Sequence, residues 1–323
     1  MARERDLRLG TRGSQLALWQ ANTVAARIAE TGGPPCRIVV IKTTGDRLQD
    51  RPLSEAGGKR LFVKEIEDAL LAGEVDLAVH SSKDMPVVLP GGLAIAGVLP
   101  REDPRDAMVL RGSPPEVRPK ADGTMNSIVD ALGREPSIGT GSVRRIAQLK
   151  GLLPGARFAS IRGNLDTRLR KLDEGQHDAL VLAAAGLRRL GFGDRITLTL
   201  PAADCVPAPG QGIVAVEIRE DDAVARRAIA PVNDVSAHVA LTAERAVVTG
   251  LGGGCQTPVG ALASLIDSKT IEVVAVVAAL DGGRIIRAAG RGAVGEAAAL
   301  GARIAQDLIA QGADEILAGA RVN

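Results

Sequence analysis

The sequence is short of the residue types from which several common binding sites are built. Its 323 residues include no Tyr, one Trp and three Phe, so it has almost no aromatic surface on which single-stranded nucleic acid could stack. It also lacks a basic recognition helix of a DNA-binding motif. Lys and Arg total 40, Asp and Glu total 38, and the net charge is only +2. These values favour small anions over nucleic acid as ligands of the arginines.

Cysteine and histidine are also scarce. The three cysteines (Cys36, Cys205 and Cys255) are too few and too widely spaced for a disulfide framework, and the three histidines show no metal-ligand spacing. The N-terminal MARERDLRLG lacks the apolar core of a signal peptide, and the longest apolar strip, near residues 271–280, is too short to span a bilayer. We therefore expect a cytoplasmic protein without a bound metal, in which a free thiol persists.

What the sequence does contain is a regular alternation of strand-like and helix-like segments. This alternation predicts parallel sheets covered on both faces by helices. Beyond Pro258, two β-rich runs and one amphipathic helix predict a small α+β domain. Strands are predicted at 7–11, 36–43, 76–80, 137–140, 156–162, 179–184, 213–219, 271–280 and 284–289, and helices at 14–30, 61–72, from 142, from 164, at 236–249 and at 296–310.

Weak internal similarity predicts two related lobes. LGTRGSQLAL at 9–18 resembles IGTGSVRRIAQL at 138–149, and LAGEVDLAVH at 71–80 resembles LDEGQHDALVL at 172–182. The stretch between the repeats, residues 100–120, is rich in Pro and charge and is interpreted as a crossover plus an exposed loop. The predicted fold is α/β, with two similar doubly wound lobes resembling periplasmic binding proteins and a small α+β C-terminal domain. The predicted limits are 1–100 and 213–230 for lobe 1, 101–212 and 231–251 for lobe 2, and 252–323 for the C-terminal domain.

Candidate ligand-binding residues follow the predicted strands, because ligands of open sheets bind beyond the carboxyl ends of the strands. Ser14 and Ser142 are predicted helix N-caps, whose helix starts present free backbone N–H groups. Arg144 and Arg145 fall in the first turn of a helix, where a cation opposes the helix dipole. This placement favours an anion-binding role over that of two solvated surface arginines.

Further arginines follow other strands. Arg162 ends one strand and Arg168 lies one turn into the next helix, while Arg188 and Arg189 follow a third strand. Guanidinium groups bind carboxylates bidentately. The predicted ligand therefore carries several carboxylates.

Two other residues allow a chemical or a purely structural interpretation. Asp84, in DLAVHSSKDMP, is either a turn former before Pro86 or a carboxylate that stabilises a positive intermediate or moves protons. Cys255, in LGGGCQTPVG, is either an inert small hydrophobe or an accessible loop thiol, and the glycines beside it favour the loop. His80, within a predicted strand, is interpreted as a satisfied core histidine.

Ten segments, in order along the chain, together resemble the porphobilinogen deaminase (hydroxymethylbilane synthase) family. Each segment alone is a weak signal, but ten in register are specific. They are TRGSQLALWQA, GGKRLFVKEIEDALL, DLAVHSSKDMP, REDPRDA, IGTGSVRR, RGNLDTRL, LAAAGLRRLG, PAPGQGIVAVE, TAERA and GGGCQTPVG.

The resemblance implies a transferase of tetrapyrrole biosynthesis that joins four porphobilinogen molecules head to tail, releases ammonia and yields hydroxymethylbilane. It implies a dipyrromethane cofactor held by a thioether on Cys255, and a cytoplasmic monomer whose product passes to uroporphyrinogen-III synthase. It also implies that Asp84 is the catalytic carboxylate. The other matching positions are Lys83, Thr140, Ser142, Arg144 and Arg145 for the cofactor, Arg12, Ser14, Arg162, Arg168 and Arg189 for the substrate, and Lys59 and Phe62 for a mobile loop.

The sequence departs from the family pattern at Glu55, Arg60 and Gly141, where some members have Lys, a small residue and Ser. Two other functions fit parts of the sequence: an anion receptor of the periplasmic type, and an RNA-binding protein that uses its arginines. The receptor does not account for the cysteine loop or Asp84, and the RNA-binding protein lacks aromatic residues. Acidic Ehrlich reagent separates these possibilities, because only a covalently held pyrrole gives colour.

Overall fold

The structure, a computed structural model, describes residues 5–47, 60–112, 132–253 and 257–322. Within these ranges, two five-stranded sheets and one three-stranded sheet are covered by helices. The strands are β1 (Leu7–Thr11), β2 (Cys36–Val40), β3 (Leu77–Ser81), β4 (Leu93–Val98), β5 (Asp106–Leu110), β6 (Ser137–Gly139), β7 (Arg157–Ala159), β8 (Ala179–Ala183), β9 (Leu198–Thr199), β10 (Val214–Arg219), β11 (Val259–Leu265), β12 (Thr270–Ala278) and β13 (Ile285–Ala293). The helices are α1 (Gln15–Glu30), α2 (Thr44–Arg47), α3 (Lys64–Leu71), α4 (Val143–Leu149), α5 (Leu165–Asp173), α6 (Ala184–Arg189), α7 (Ala223–Ile229), α8 (Val235–Gly250), α9 (Ala297–Ala310) and α10 (Ala313–Val322).

The two larger sheets have the same plan. Their strand orders are β2-β1-β3-β10-β4 and β7-β6-β8-β5-β9. The similar segments found in the sequence occupy equivalent places, since β1 leads into α1 as β6 leads into α4, and β3 matches β8. The prediction of two similar α/β lobes is confirmed.

The prediction of parallel sheets is wrong for one strand in each of the two larger sheets, while β1, β2 and β3, and likewise β6, β7 and β8, pair in parallel. Strand β10 runs antiparallel to β3 and β4 in the first sheet, and β5 runs antiparallel to β8 and β9 in the second. Strand β5 also lies inside the stretch interpreted as a crossover plus loop. Its five residues, DAMVL, are all buried, and the Pro-rich and charged flanks concealed this short strand in the sequence.

Two crossover segments connect the lobes. Residues 99–105 lead from the first sheet to the second, and residues 200–213 lead back. The crossovers touch, because Glu102 N donates to Gly212 O at 3.0 Å, and Leu99 N donates to Val214 O, at the start of β10, at 3.0 Å. Gly212 has a φ of +86°, and a Cβ at this position would lie 2.2 Å from Glu102 O. The crossover contact therefore requires glycine.

The third sheet, in the antiparallel order β11-β12-β13, packs against α8 and α9. Helix α8, which the predicted limits place in lobe 2, buries Val247 in the same core as Val273 of the third sheet and Ile304 of α9. The two helices approach closely, since a Cβ on Gly301 would lie 2.2 Å from Ala243 O. Among the described helices, none has the length and apolarity needed to cross a membrane.

Candidate functional site

Most of the predicted site residues that the structure describes line a cleft between the two lobes. A cavity of about 460 Å³ and a second of about 330 Å³ both include Lys83, Asp84, Ser142, Arg145 and Arg162 in their walls. The two cavities therefore form one continuous cleft. Its walls come from the turn after β3 on one side and from the starts of α4 and α5 on the other.

Asp84 lies where the two cavities meet. It ends the short 3-10 turn Ser82–Asp84, which follows β3 directly, and Met85 N closes this turn on Ser82 O at 3.2 Å. Among the residues that the structure describes, none donates a hydrogen bond to the Asp84 carboxylate, which is therefore available to a ligand. His80, which lies within β3 just before this turn, is buried and contacts Glu217 Oε2 at 3.1 Å, which confirms its interpretation as a core histidine.

Lys83 is the cation next to Asp84. Burial lowers the pKa of its ammonium to about 8, although the charge of Asp84 acts in the opposite direction. Its Nζ donates to Gln211 Oε1 at 3.3 Å. An ammonium with a depressed pKa gains stability when an anionic ligand enters the cleft.

The N-cap predictions hold for position and only partly for hydrogen bonding. Ser14 Oγ accepts from Ala17 N at 3.3 Å, whereas Ser142 precedes α4 without a side-chain capping bond. Ser142 lines both cavities, and Thr140, which is 1 % exposed, lines the larger one. Gly141 leaves room for a serine side chain, since a Cβ there would come no closer than 3.7 Å to Ile161 O.

Arg144 and Arg145 enclose a buried carboxylate. Arg144 donates to Asp106 Oδ2 at 2.7 Å and to Val206 O at 2.7 Å, and Arg145 Nε donates to Asp106 Oδ1 at 2.9 Å. Burial alone would raise the pKa of Asp106, but the two guanidinium groups hold it well below its usual range. Both arginines also line the larger cavity, so they build the cleft wall as well as facing it.

Arg162 and Arg168 are cations without a carboxylate partner among the described residues. Arg162 Nε is buried and receives no acceptor in that part of the chain, and burial lowers the pKa of the group. Arg168 Nε donates to Gly163 O at 2.8 Å. Burial, with the nearby charges of Arg145 and Arg162, lowers the Arg168 pKa to about 10. This crowding of positive charge favours an anionic ligand.

Arg12 and Phe62 line the smaller cavity. Arg12 Nε donates to Asp46 Oδ1 at 3.1 Å, and its guanidinium lies 4.4 Å from the Phe62 ring centroid. Arg60, one of the departures from the family pattern, has a φ of +67° and pairs with the fully buried carboxylate of Glu67. Its charge is therefore engaged by Glu67.

Arg189 is not among the described residues that line the two cavities. Its guanidinium donates to Gly212 O at 2.7 Å and lies 5.4 Å from the ring centroid of Trp19 on α1. Arg189 thus connects α6 of the second lobe to a crossover and to the first lobe. Its predicted contact with substrate stays a prediction.

Three predicted positions lie outside the described residues: Cys255, Lys59 and Glu55. Thr257, close after Cys255 in the chain, lines the larger cavity. Burial raises the pKa of Cys205 to about 12 and, with the charge of Asp6, that of Cys36 to about 11. Neither of these thiols is a ready nucleophile at neutral pH.

Sequence reasoning missed several residues of the site. Gln211 and Arg245 line the larger cavity, while Asp106 and Asp46 hold the arginines in place. Three of the four stand in segments that carry the family resemblance, PAPGQG, TAERA and REDPRDA, to which no individual role was assigned. Their positions depend on contacts between distant parts of the chain, and local periodicity does not report such contacts.

The cleft carries a large excess of positive charge. Within the described ranges, the side chains of Asp84 and Asp166 are the carboxylates that line the two cavities. Seven cations oppose them: Arg12, Lys83, Arg144, Arg145, Arg162, Arg168 and Arg245. Asp46 and Asp106 outside the lining reduce this excess without removing it, so the charge of the lining favours a polyanionic ligand.

Comparison with known proteins agrees with this site. The profile "Porphobilinogen deaminase, dipyromethane cofactor binding domain" matches residues 7–227, and "Porphobilinogen deaminase, C-terminal domain" matches residues 238–310. The chain is 46 % identical to the porphobilinogen deaminase of Syntrophobacter fumaroxidans, over 97 % of each chain. It is also 46 % identical to that of Syntrophotalea carbinolica, over 97 % of this chain and 95 % of the relative.

Among solved structures, the chain is similar to the periplasmic VFT2 domain of Bordetella pertussis BvgS, with 16 % identity, a TM-score of 0.39, and coverage of 70 % of this chain and 86 % of that one. The family profiles together span both lobes and most of the third domain, and the two relatives match nearly end to end. On the similarity to these profiles and relatives, and with a polycationic cleft around the available carboxylate of Asp84, the chain belongs to the porphobilinogen deaminase family.

Proposed function

We propose that this chain joins four porphobilinogen molecules head to tail in the interlobe cleft, with release of ammonia, to give hydroxymethylbilane for tetrapyrrole biosynthesis. One observation carries this proposal. The Asp84 carboxylate lies at the junction of two cation-lined cavities and accepts no hydrogen bond from the described residues. A polyanionic substrate suits the walls of the cleft, and Asp84 suits positive charge that develops within the substrate.

The residues of the cleft fit a dipyrromethane cofactor. Each of its rings carries an acetate and a propionate, and the larger cavity offers Lys83, Arg145 and Arg162 to such groups. The buried Arg162 Nε, which lacks an acceptor among the described residues, is a donor left for a ligand oxygen. When bound through Cys255, the cofactor supplies the free pyrrole α-carbon at which chain growth begins.

We assign the two cavities to different ligands. The larger cavity borders Thr257, near Cys255 in the chain, and we assign it to the attached group. The smaller cavity offers Arg12, Ser14 and Arg168, and we assign it to the incoming substrate. Asp84 belongs to both, so one carboxylate reaches the boundary between them.

In this scheme Asp84 accepts hydrogen bonds from pyrrole N–H groups and stabilises positive charge on the substrate as its amino group leaves. A preorganised carboxylate in a cleft of restricted dielectric is effective for this purpose. The arginines bind and orient the ring carboxylates, which fixes the reacting carbons relative to Asp84. Lys83 balances the charge of Asp84 until substrate binds.

The resemblance supports further proposals. We propose that the protein is a cytoplasmic monomer, that its product passes to uroporphyrinogen-III synthase, and that Phe62 and Lys59 contact substrate through the loop motif. The limits of the two lobes, apart from α8, are proposed as predicted from the sequence.

Intact mass spectrometry tests the proposed function. The purified protein is expected to exceed its sequence mass by one dipyrromethane, to give colour with acidic Ehrlich reagent, and to convert porphobilinogen to hydroxymethylbilane. Cys255→Ser is expected to lose the extra mass, the colour and the activity together. An unmodified wild-type protein that retains full activity would contradict the assignment of Cys255.

A further inference from the structure

Gln211 occupies a polar junction between the lobes that the proposed mechanism does not use. It lies in the crossover 200–213 and is 1 % exposed. Its Nε2 donates to Asp106 Oδ1 at 2.9 Å and to Pro104 O at 2.7 Å. Its Oε1 accepts from Lys83 Nζ at 3.3 Å and from an Arg145 guanidinium nitrogen at 3.5 Å. The two donors and two acceptor sites of the amide are all used.

The surroundings determine which side chain fits at this position. The donors face a carboxylate and a carbonyl, while the acceptor faces two cations, so a flipped amide would reverse every contact. Glutamate would bring a second carboxylate against Asp106, and methionine would leave four polar partners without the amide. Among the standard side chains of this length, the amide of glutamine meets all four requirements.

The two cations that share Gln211 Oε1 come from different lobes. Lys83 follows β3 of the first sheet, and Arg145 lies on α4 beside β6 of the second. Both line the two cavities of the cleft. A shared acceptor offsets their mutual repulsion and fixes the spacing of two groups that would bind ligand carboxylates.

We propose that Gln211 is a positioning residue that holds Lys83 of one lobe and Arg145 of the other at the spacing needed to bind the carboxylates of the pyrrole ligand. This inference rests on the proposed function. Gln211 acts through the two cations, without being required to touch the ligand.

The electrostatic surroundings of Lys83 provide a direct measurement. The charged groups that face its ammonium are Asp84 on its own turn, Asp106 on β5, and Arg144 and Arg145 on α4. Loss of the Gln211 acceptor removes a stabilising contact of the ammonium and leaves the repulsion by the arginines. The pKa of Lys83, which burial already lowers to about 8, is therefore expected to fall further.

The test uses Gln211→Met in the full-length, cofactor-loaded protein, with Gln148→Met as the matched control. Gln148 is also 1 % exposed and bonds to Val206 N at 2.8 Å and Val206 O at 3.1 Å, with no bond to Lys83. Lys83 is titrated by NMR in protein labelled with ¹³Cε-lysine, and its signal is assigned with Lys83→Arg. Gln211→Met is expected to lower the Lys83 pKa by about one unit, typical of losing a hydrogen bond to a charged group. Gln148→Met is expected to leave that pKa unchanged.

Kinetics give the second readout. Because a lower pKa leaves less ammonium, the KM of Gln211→Met for porphobilinogen is expected to exceed that of wild type by about fivefold at the pH where wild-type Lys83 is half ionised, and to approach it two pH units below. A purely structural defect, as in Gln148→Met, changes KM by the same factor at both pH values.

Several outcomes would overturn the inference. An unchanged Lys83 titration in Gln211→Met, or a pH-independent rise in KM equal to that of Gln148→Met, means that Gln211 only fills space. If Gln211→Met does not fold, Gln211→Glu is titrated instead, because its retained oxygen and added charge are expected to raise the Lys83 pKa. An unchanged value there also overturns the inference. If wild type does not convert porphobilinogen, the proposed function fails, and the Lys83 titration still tests the contact with Gln211.

Discussion

At the residue scale, Asp84 is the side chain whose charge matters most to the proposed chemistry. Asp84→Asn keeps the shape of the side chain and removes its charge. We expect this variant to fold and to lose about 10²–10³-fold in turnover, the usual cost of removing one preorganised electrostatic partner. The turnover of Asp84→Glu is expected to lie between those of wild type and Asp84→Asn, because this variant keeps the charge and shifts its position. Product formation and cofactor mass are measured on the same samples, and Asp84→Asn activity within about threefold of wild type would make Asp84 a turn residue.

Arg144 and Arg162 both belong to the predicted anion site, yet their contacts in the structure differ. Arg144 pairs with the fully buried Asp106, and breaking such a pair costs about 3–5 kcal/mol. Arg162 has no carboxylate partner among the described residues. We therefore expect Arg144→Leu to lose about that much stability, and Arg162→Leu to keep near-normal stability while losing cofactor load or chain elongation.

Urea unfolding at pH 7 and intact mass spectrometry separate these effects. Equal loss of stability in both variants, or a normal cofactor load and turnover in Arg162→Leu, would show that the guanidinium of Arg162 serves no ligand.

Asp76 predicts how stability depends on acid pH. Its buried carboxylate accepts from Arg8 N at 2.8 Å, Arg8 Nε at 3.0 Å and Arg5 at 2.8 Å. Burial opposes ionisation, but the bonds to Arg8 prevail and lower the Asp76 pKa from 3.8 to about 2. A depressed carboxyl pKa adds stability that is complete above the unfolded value and is lost as the pH falls through the folded value.

We therefore expect Asp76→Asn to lose about 2 kcal/mol of unfolding free energy at pH 7 relative to wild type, with a much smaller difference at pH 2. Urea titrations at the two pH values measure it. A difference that stays constant between pH 7 and pH 2 would assign the loss to packing.

The residues of the site were predictable to different degrees. Asp84, Ser142 and Arg162 follow strands, so the rule that ligands bind at the carboxyl ends of strands locates them from sequence alone. Arg144 followed the same rule, but its partner Asp106 lies 38 residues earlier in the chain. No local pattern reports such a pair, and its burial was therefore not predicted.

At the element scale, α8 and α9 pack so closely that only glycine fits at position 301. A Cβ there would lie 2.2 Å from Ala243 O and 2.8 Å from Ala246 Cβ. We expect Gly301→Ala to cost about 1–3 kcal/mol through overpacking, more than the gain of about 1 kcal/mol from better helix propensity. Because α8 ends shortly before Cys255, the same variant is expected to reduce the cofactor load.

Gly319→Ala is the matched control. Gly319 lies in α10, and no neighbouring atom lies within 4 Å of the place that a Cβ would take there, so the substitution is expected to stabilise by about 0.5–1 kcal/mol. Thermal unfolding compares the two variants. A stabilising Gly301→Ala would mean that the helices can separate at no cost.

Element boundaries followed from local sequence where amphipathic patterns were long. Helices α1 and α9 match their predicted ranges apart from the first residue of each. Several short elements were missed: β5 lies in the stretch interpreted as a crossover plus loop, and β4, β9 and α2 were not predicted. The direction of one strand was also predicted wrongly in each five-stranded sheet. This direction depends on which distant segment forms the fourth strand, and local sequence does not determine that.

At the scale of the whole molecule, the crossover contact at Gly212 holds the two lobes in register. Gly212→Ala combines an unfavourable φ of +86° with a clash against Glu102 O. Gly73→Ala serves as control, since Gly73 has a φ of +69° and no atom within 4 Å of a Cβ. We expect both variants to lose about 1–2 kcal/mol from the backbone conformation and Gly212→Ala to lose more because of the clash.

Fluorescence adds a readout of lobe position. The protein has one Trp, and Trp19 of the first lobe contacts Arg189 of the second. The emission of folded Gly212→Ala is expected to change, whereas that of Gly73→Ala is expected to match wild type. Identical emission and melting temperature in the two variants would show that the crossover contact does not hold the lobes.

The return of the chain to the first sheet at β10 also determines when each lobe can form during synthesis. The first sheet pairs Val214 of β10 with Ser81 of β3, so it is incomplete until the ribosome has passed β10. Contacts so distant in sequence form slowly, and until then β3 and β4 present unpaired edges, which promote aggregation. A nascent chain that stops before β10 therefore carries an open sheet, so the first lobe to be translated is not the first that can finish folding.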